Sequence, residues 1–242
     1  MYRHSLISPK EILNSVLLSK FVYSDLNKLP PLVDNLQLVN TFDRDNTEGA
    51  IYHDVTDDTL YVSFRGTSEG KDFRTDATYF SKNFLDTKAH RGFVNAFYEI
   101  EHAMLNGLNN FMLPEKEYTL VICGHSLGGA IAHLAFYYLL YTQCVKFKDI
   151  RLVTAGSPKV FFKKNLTETH KHFIDKAVRI THADDVVPEM PPQTIILTLT
   201  GCKYVHVGQH WNIGTEDDSH GFKEHKIQGY IDTLMKEGVV IG

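Results

Sequence analysis

Ser126 stands in Gly124-His125-Ser126-Leu127-Gly128, with the apolar run Tyr118–Cys123 before it and a long apolar stretch, Leu127 to Tyr141, after it. A hydroxyl on a sharp turn between a buried strand and a helix is set up for nucleophilic attack. The turn is so tight that side chains two residues either side of the serine would collide, and Gly124 and Gly128 remove them. The N–H groups opening the following helix point toward the place where negative charge would develop. Glycine and serine at about 7% each let roughly one chain in twelve of this length match the pentapeptide by chance. The strand and helix around it therefore carry the reading.

A serine at its free pKa needs a general base, and the base needs a group that fixes its tautomer and stabilises its cation. On a turn of this kind the acid and the histidine follow the serine in chain order. Asp184 and Asp185 both follow the β-type run Val178–Thr181, where a loop at the carboxyl end of a strand presents side chains to a site. Four histidines remain: His206, His210, His220 and His225. His206 and His210 read as strand or turn residues lining a sheet edge. His225 opens the last helical pattern, about 200° from Ile227 on a 3.6-residue wheel, so it is not buried with the stripe Ile227, Tyr230, Ile231 and Leu234. His220, in Asp217-Asp218-Ser219-His220-Gly221, is its rival. For the oxyanion of an acyl transfer, Leu127 offers the backbone N–H after the nucleophile, and Thr67, in the loop after an earlier strand, fits the second donor.

The elements that must position these residues follow from periodicity. Ser8-Pro9-Lys10-Glu11 is an N-cap, a proline at N1 and a glutamate at N3, ahead of Ile12, Leu13, Val16, Leu17 and Phe21 at helical spacing. Ile51–Val55 and Leu60–Phe64 alternate around Asp57-Asp58 as a hairpin. Further strands are predicted at Tyr118–Cys123, Ile150–Thr154, Val178–Thr181 and Ile195–Leu199, and helices at Val94–Met112, Leu127–Tyr141 and His225–Lys236. Strands separated by helices imply an α/β fold with a mainly parallel sheet covered on both faces and an antiparallel hairpin at one edge. No repeat or linker divides the 242 residues, so residues 1–242 are expected to form one domain.

Five blocks, in order, resemble the class 3 lipases, the fungal-type lipase family of α/β-hydrolases. They are Phe64-Arg65-Gly66-Thr67, His90-Arg91-Gly92-Phe93, Gly124-His125-Ser126-Leu127-Gly128-Gly129-Ala130, Thr154-Ala155-Gly156-Ser157-Pro158 and Arg179 to Pro188. The resemblance covers roughly residues 50 to 235. It implies Ser126 as nucleophile and Asp185, which precedes x-Val-Pro, as the acid. It implies His225, by its spacing to Tyr230-Ile231, as the base, and Thr67, the residue after Phe-Arg-Gly, as an oxyanion donor beside Leu127. The implied activity is hydrolysis of carboxylic esters, as a lipase or esterase acting on acylglycerols or other lipid esters through an acyl-enzyme, with no metal or organic cofactor. The same residues would serve a phospholipase, a thioesterase or an acyltransferase, and a silent binding module on the same scaffold is the reading from another class.

The segment of about 68–88 takes the place of the family's lid. Phe73, Ala77 and Phe80 sit at i, i+4 and i+7, but the rest is charged or polar, so weak interfacial activation and only transient contact with a lipid surface are expected. A net charge of −4 and a pI near 6.3 exclude nucleic acid as an expected partner. Leu120 to Tyr141, the stretch a hydropathy scan would flag, contains three glycines and two histidines and reads as strand, turn and helix, not as a membrane span. Three cysteines and an N-terminus without an apolar leader run lead to the expectation of a cytoplasmic protein.

Overall fold

The computed structural model describes residues 6–24, 35–44, 47–66, 80–183, 185–191, 203–214 and 225–239. Helix α1 (Pro9–Phe21) opens with the predicted capping box: the Ser8 hydroxyl accepts from Glu11 N at 3.2 Å, and the Glu11 carboxylate accepts from Ser8 N at 2.7 Å. Such a cap stabilises a helix start by about 1 kcal/mol.

A seven-stranded sheet follows, in the spatial order β1 (Leu36–Arg44), β2 (Thr47–Asp54), β3 (Thr59–Phe64), β6 (Thr119–His125), β7 (Asp149–Ala155), β9 (Ala177–His182) and β11 (Gln209–Ile213). From β3 to β11 every pairing is parallel, while β1, β2 and β3 are antiparallel. The hairpin expected at the edge is β2–β3, but β1 lies outside it and takes the edge position. Sequence periodicity missed β1 because only Leu36 and Phe42 of its nine residues are buried. Edge strand β11 is equally polar, with Ile213 its one buried residue. The strand expected at Ile195–Leu199 lies outside the described residues.

Helices cover both faces. Ahead of β6, α2 (Arg91–Phe111) buries Phe93, Val94, Phe97, Ile100, Met104 and Leu108, an i, i+4, i+7 stripe, against the same core as α3 (Leu127–Thr142). Helix α3 is apolar nearly all round, as befits a helix buried at the centre of the molecule. On the opposite face, α1 and α5 (Ile227–Lys236), which follows the short α4 (His172–Lys176), pack with Val121, Cys123, Val153 and Val178. Each large side chain buried in these cores contributes about 1.5–3 kcal/mol.

A second, antiparallel sheet of four short strands was not anticipated: β10 (Tyr204–Val205), β8 (Phe161–Phe162), β5 (Thr87–His90) and β4 (Ser81–Phe84). It takes in the end of the lid-like segment, and Phe84 is fully buried against Phe97 and Tyr137. Residues 68–79, with Phe73 and Ala77, lie outside the described residues.

Burial holds several histidines in neutral form. Burial pushes His133 on α3 down to about 4, and likewise His170 to about 4 and His206 to about 3. Unfolded, each takes up a proton near 6.5, so the unfolded chain binds more protons below that pH. Stability from these groups is therefore complete above about pH 6.5 and is lost as pH falls toward 4, His133 alone contributing about 3 kcal/mol. Urea midpoints should fall steadily between pH 6.5 and 4.5. His133→Gln keeps a donor for the Gly129 carbonyl, 2.8 Å from His133 Nδ1, and should flatten that slope. An unchanged slope in the variant would refute the assignment.

Candidate active site

Strand β6 runs into the turn at Ser126, and α3 leaves it at Leu127. Ser126 has φ 59° and ψ −128°, a conformation costing on the order of 1–3 kcal/mol in a residue with a side chain. The two flanking glycines let the turn close. A Cβ on Gly124 would lie 2.3 Å from the Gly128 carbonyl, and one on Gly128 would lie 2.1 Å from Phe64 O at the end of β3. The elbow is thus wedged against the loop that leaves β3. Ser126 N donates to Ala155 O at 3.1 Å, tying the turn to the end of β7.

Asp185 follows β9 and His225 precedes α5, and the structure brings them together. His225 Nδ1 lies 2.8 Å from Asp185 Oδ2. The carboxylate accepts, so Nδ1 carries the hydrogen and Nε2 keeps its lone pair. Nε2 is buried and has no hydrogen-bond partner among the described residues. Ser126, Asp185 and His225 are 2%, 7% and 8% exposed. A contact between serine and imidazole at such a site commonly tightens only when substrate is seated.

Two further donors hold the carboxylate. The Tyr230 hydroxyl donates to Oδ2 at 2.5 Å, and Val187 N donates to Oδ1 at 2.9 Å. Burial and the neighbouring Asp185 charge raise the Tyr230 pKa, so the phenol keeps its proton. Sequence reading counted Tyr230 only as a packing residue, because its ring does lie in the apolar stripe of α5. His225 departs from its helical-wheel position. The residue is buried, since it precedes the first turn of α5 and so does not obey that helix's periodicity.

Gly156 lies in the block Thr154–Pro158, to which the sequence gives no role of its own. Its φ is +57°, and a Cβ there would stand 3.0 Å from Asp185 Oδ2, His225 Cε1 and the Tyr230 hydroxyl at once. Gly156→Ala should cost about 1–2 kcal/mol in stability from the left-handed backbone. Displacing the Asp185–His225 pair by even a few tenths of an ångström should also lower kcat about tenfold or more. Urea unfolding and ester turnover check the two effects separately, and a normal kcat would show that the contact is slack.

Leu127 opens α3, where a helix leaves its first N–H groups without internal acceptors. Thr67, Asp184 and His220 lie outside the described residues. Gly66, next to Thr67, is placed against Ser126, a Cβ on it coming within 3.2 Å of Ser126 Cβ. His210 lies on edge strand β11, and His206 Nε2 donates to Pro188 O at 2.6 Å.

Parallel sheet, strand–serine–helix elbow and helices on both faces define the α/β-hydrolase fold, and solved structures share it. Lipase II from Rhizopus niveus superposes with a TM-score of 0.73 at 22% identity, over 85% of this chain and 80% of that one. The lipase from Rhizopus microsporus var. chinensis gives 0.71 at 24%, over 88% and 76%. A triacylglycerol lipase whose catalytic centre is described as a serine protease triad gives 0.65 at 22%, over 84% and 79%.

Residues 61–195, more than half of the chain, match the family described as Lipase (class 3). This chain belongs to the class 3 lipase family. It is 29% identical over 192 residues to secreted mono- and diacylglycerol lipase 1 of Fusarium solani, covering 76% of this chain and 53% of that protein. It is 27% identical over 160 residues to the lipase of Rhizopus niveus, covering 62% and 39%. The chain thus spans about half or less of the length of these curated relatives.

The expectation of a cytoplasmic protein is overturned by this relationship, since relatives from Fusarium and Penicillium are secreted enzymes. Cysteine count was a poor guide because a thiol such as Cys123, fully buried, packs as a small hydrophobe in either redox compartment. No helix of the described residues is long and apolar enough to cross a membrane.

Proposed function

We propose that this chain hydrolyses carboxylic esters of lipids, acylglycerols first among them, with Ser126 as nucleophile, His225 as general base and then acid, and Asp185 orienting it. The observation that carries the reading is His225 itself. It is bound through Nδ1 to a carboxylate that Tyr230 and Val187 also hold, its Nε2 has no partner among the described residues, and its ring stacks on His125, the residue before Ser126. Nε2 takes the hydroxyl proton as Ser126 Oγ attacks the ester carbonyl, and the charge on the imidazolium is met by Asp185. The Leu127 N–H and Thr67 hold the tetrahedral oxyanion, each donor worth about 3 kcal/mol or more in such sites. Collapse expels the alcohol with the proton from Nε2, and water then repeats the sequence on the acyl-enzyme.

Family membership supports ester chemistry, and the Fusarium and Penicillium relatives, named as secreted mono- and diacylglycerol lipases, point to mono- and diacylglycerols as first substrates to try. The described residues are read as one catalytic domain. A fluorophosphonate probe should label one serine per chain, and peptide mapping should place the label on Ser126. A panel of monoacyl-, diacyl- and triacylglycerols, phospholipids and acyl thioesters should show the highest kcat/KM on an acylglycerol. Absence of labelling of the folded protein would end the hydrolase reading, and a preference for phospholipids or thioesters would move the substrate.

A further inference from the structure

Segments from four distant parts of the chain meet around the imidazole of His125, the residue before the elbow serine. His125 Nε2 lies 2.8 Å from the backbone carbonyl of His225. A carbonyl only accepts, so Nε2 carries a hydrogen. Burial and the adjacent His225 ring hold the His125 pKa well below the usual imidazole range, so the ring is neutral and Nδ1 is a bare acceptor. The Tyr23 hydroxyl, 3.2 Å from Nδ1, must therefore be the donor. Burial raises the Tyr23 pKa and keeps its proton in place, while the Gly66 backbone N–H donates toward its oxygen. The result is a one-way chain: Gly66 N–H to Tyr23 hydroxyl, to His125, to the His225 carbonyl.

The His125 and His225 rings are also stacked, 4.5 Å apart and 28° from parallel. The bond from Asp185 to Nδ1 holds the His225 ring at one point only, and the ring can still swing about it. An anchored carbonyl and a stacked face supply the second constraint. We propose that Tyr23 and His125 are positioning residues for the hydrolytic site, holding His225 in the one orientation that aims Nε2 at Ser126 and tying it to the loop that leads into Thr67. The inference rests on the reading of Ser126, Asp185 and His225 given above. It assigns a role in the site to the turn that follows α1, which lies outside the residues matched to the family.

The test uses the full chain as wild type, Tyr23→Phe, His125→Leu and the double variant. Tyr23→Phe removes one oxygen and keeps the ring, so it carries the test even where His125→Leu misfolds. On a p-nitrophenyl ester, Tyr23→Phe should lower kcat about five- to tenfold with KM unchanged, and His125→Leu should lower it at least about tenfold. The melting temperature of Tyr23→Phe should stay within a few degrees of the wild type. Because both act through one chain, the double variant should be no slower than His125→Leu alone. Nitrogen NMR of histidine-labelled protein should show His125 protonated at Nε2 in the wild type and a tautomer mixture in Tyr23→Phe. An unchanged kcat in Tyr23→Phe, multiplicative losses in the double variant, or a wild-type His125 protonated at Nδ1 would each overturn the proposal. A wild type that no fluorophosphonate labels would instead bring down the hydrolase reading, and the positioning role with it.

Discussion

Ser126→Ala should lose roughly a hundred-thousand-fold in kcat and all fluorophosphonate labelling, with no change in fold. The loss follows from removing the attacking atom while the oxyanion donors and binding surfaces stay in place, which in serine hydrolases leaves only a small residual rate over water. Stability should be unaffected, because alanine and serine meet the same strain at φ 59° and ψ −128°. Ser126→Gly makes the argument sharper. Glycine tolerates that backbone, so it should be as inactive as Ser126→Ala yet up to about 1–2 kcal/mol more stable, the released strain exceeding glycine's entropic cost. Urea midpoints and single-turnover acylation separate the two effects. An active Ser126→Ala enzyme would remove the central assignment, and a destabilised Ser126→Gly would mean that the elbow is not strained.

Asp185→Asn should lower kcat about a thousand- to ten-thousand-fold, a loss of the size seen when a triad carboxylate is neutralised. The environment of Asp185 explains why the swap is severe here. Oδ2 receives two donors, His225 Nδ1 and the Tyr230 hydroxyl, and Oδ1 receives Val187 N. Asparagine has one oxygen for two sites that both demand an acceptor. Put at the Oδ2 site, its oxygen preserves the His225 tautomer but turns an NH2 against Val187 N–H. Put at the Oδ1 site, it turns the NH2 against His225 and drives the hydrogen to Nε2, where no base is then left. Either way the charge that meets the imidazolium is gone. The pH–rate profile and kcat measured together test this, and a loss below about tenfold would mean that Asp185 is a structural carboxylate.

Much of the site was legible because each part has a local cause. The elbow at Ser126 needs glycines at two fixed offsets and a strand and helix on either side, and all of these are contiguous in the chain. Asp185 could be reached from its block, and the geometry pairs it with His225. The residues that went unassigned act across the fold. Tyr230 and Val187 were packing and loop residues until their donors were seen converging on one carboxylate, and Gly156 mattered only once three atoms were found crowding its missing side chain. Strand β1 was missed for a different reason, and β11 was legible only through His210, expected in a strand or turn at a sheet edge. They sit at the sheet's edges, where one apolar face suffices, so their composition is nearly that of a loop.

The sequence alone determined the α/β order of elements, the serine elbow and the family, because turn sterics and hydrophobic periodicity operate over a few residues. Tertiary structure decided how His225 is held. Its Nδ1 is tied to a carboxylate 40 residues away and its carbonyl to an imidazole 100 residues away, which is itself oriented by Tyr23 in the turn that follows α1. Hydrogen-bond direction depends on which neutral or charged neighbour faces each atom, and only the folded chain brings those neighbours within 3 Å or so of one another.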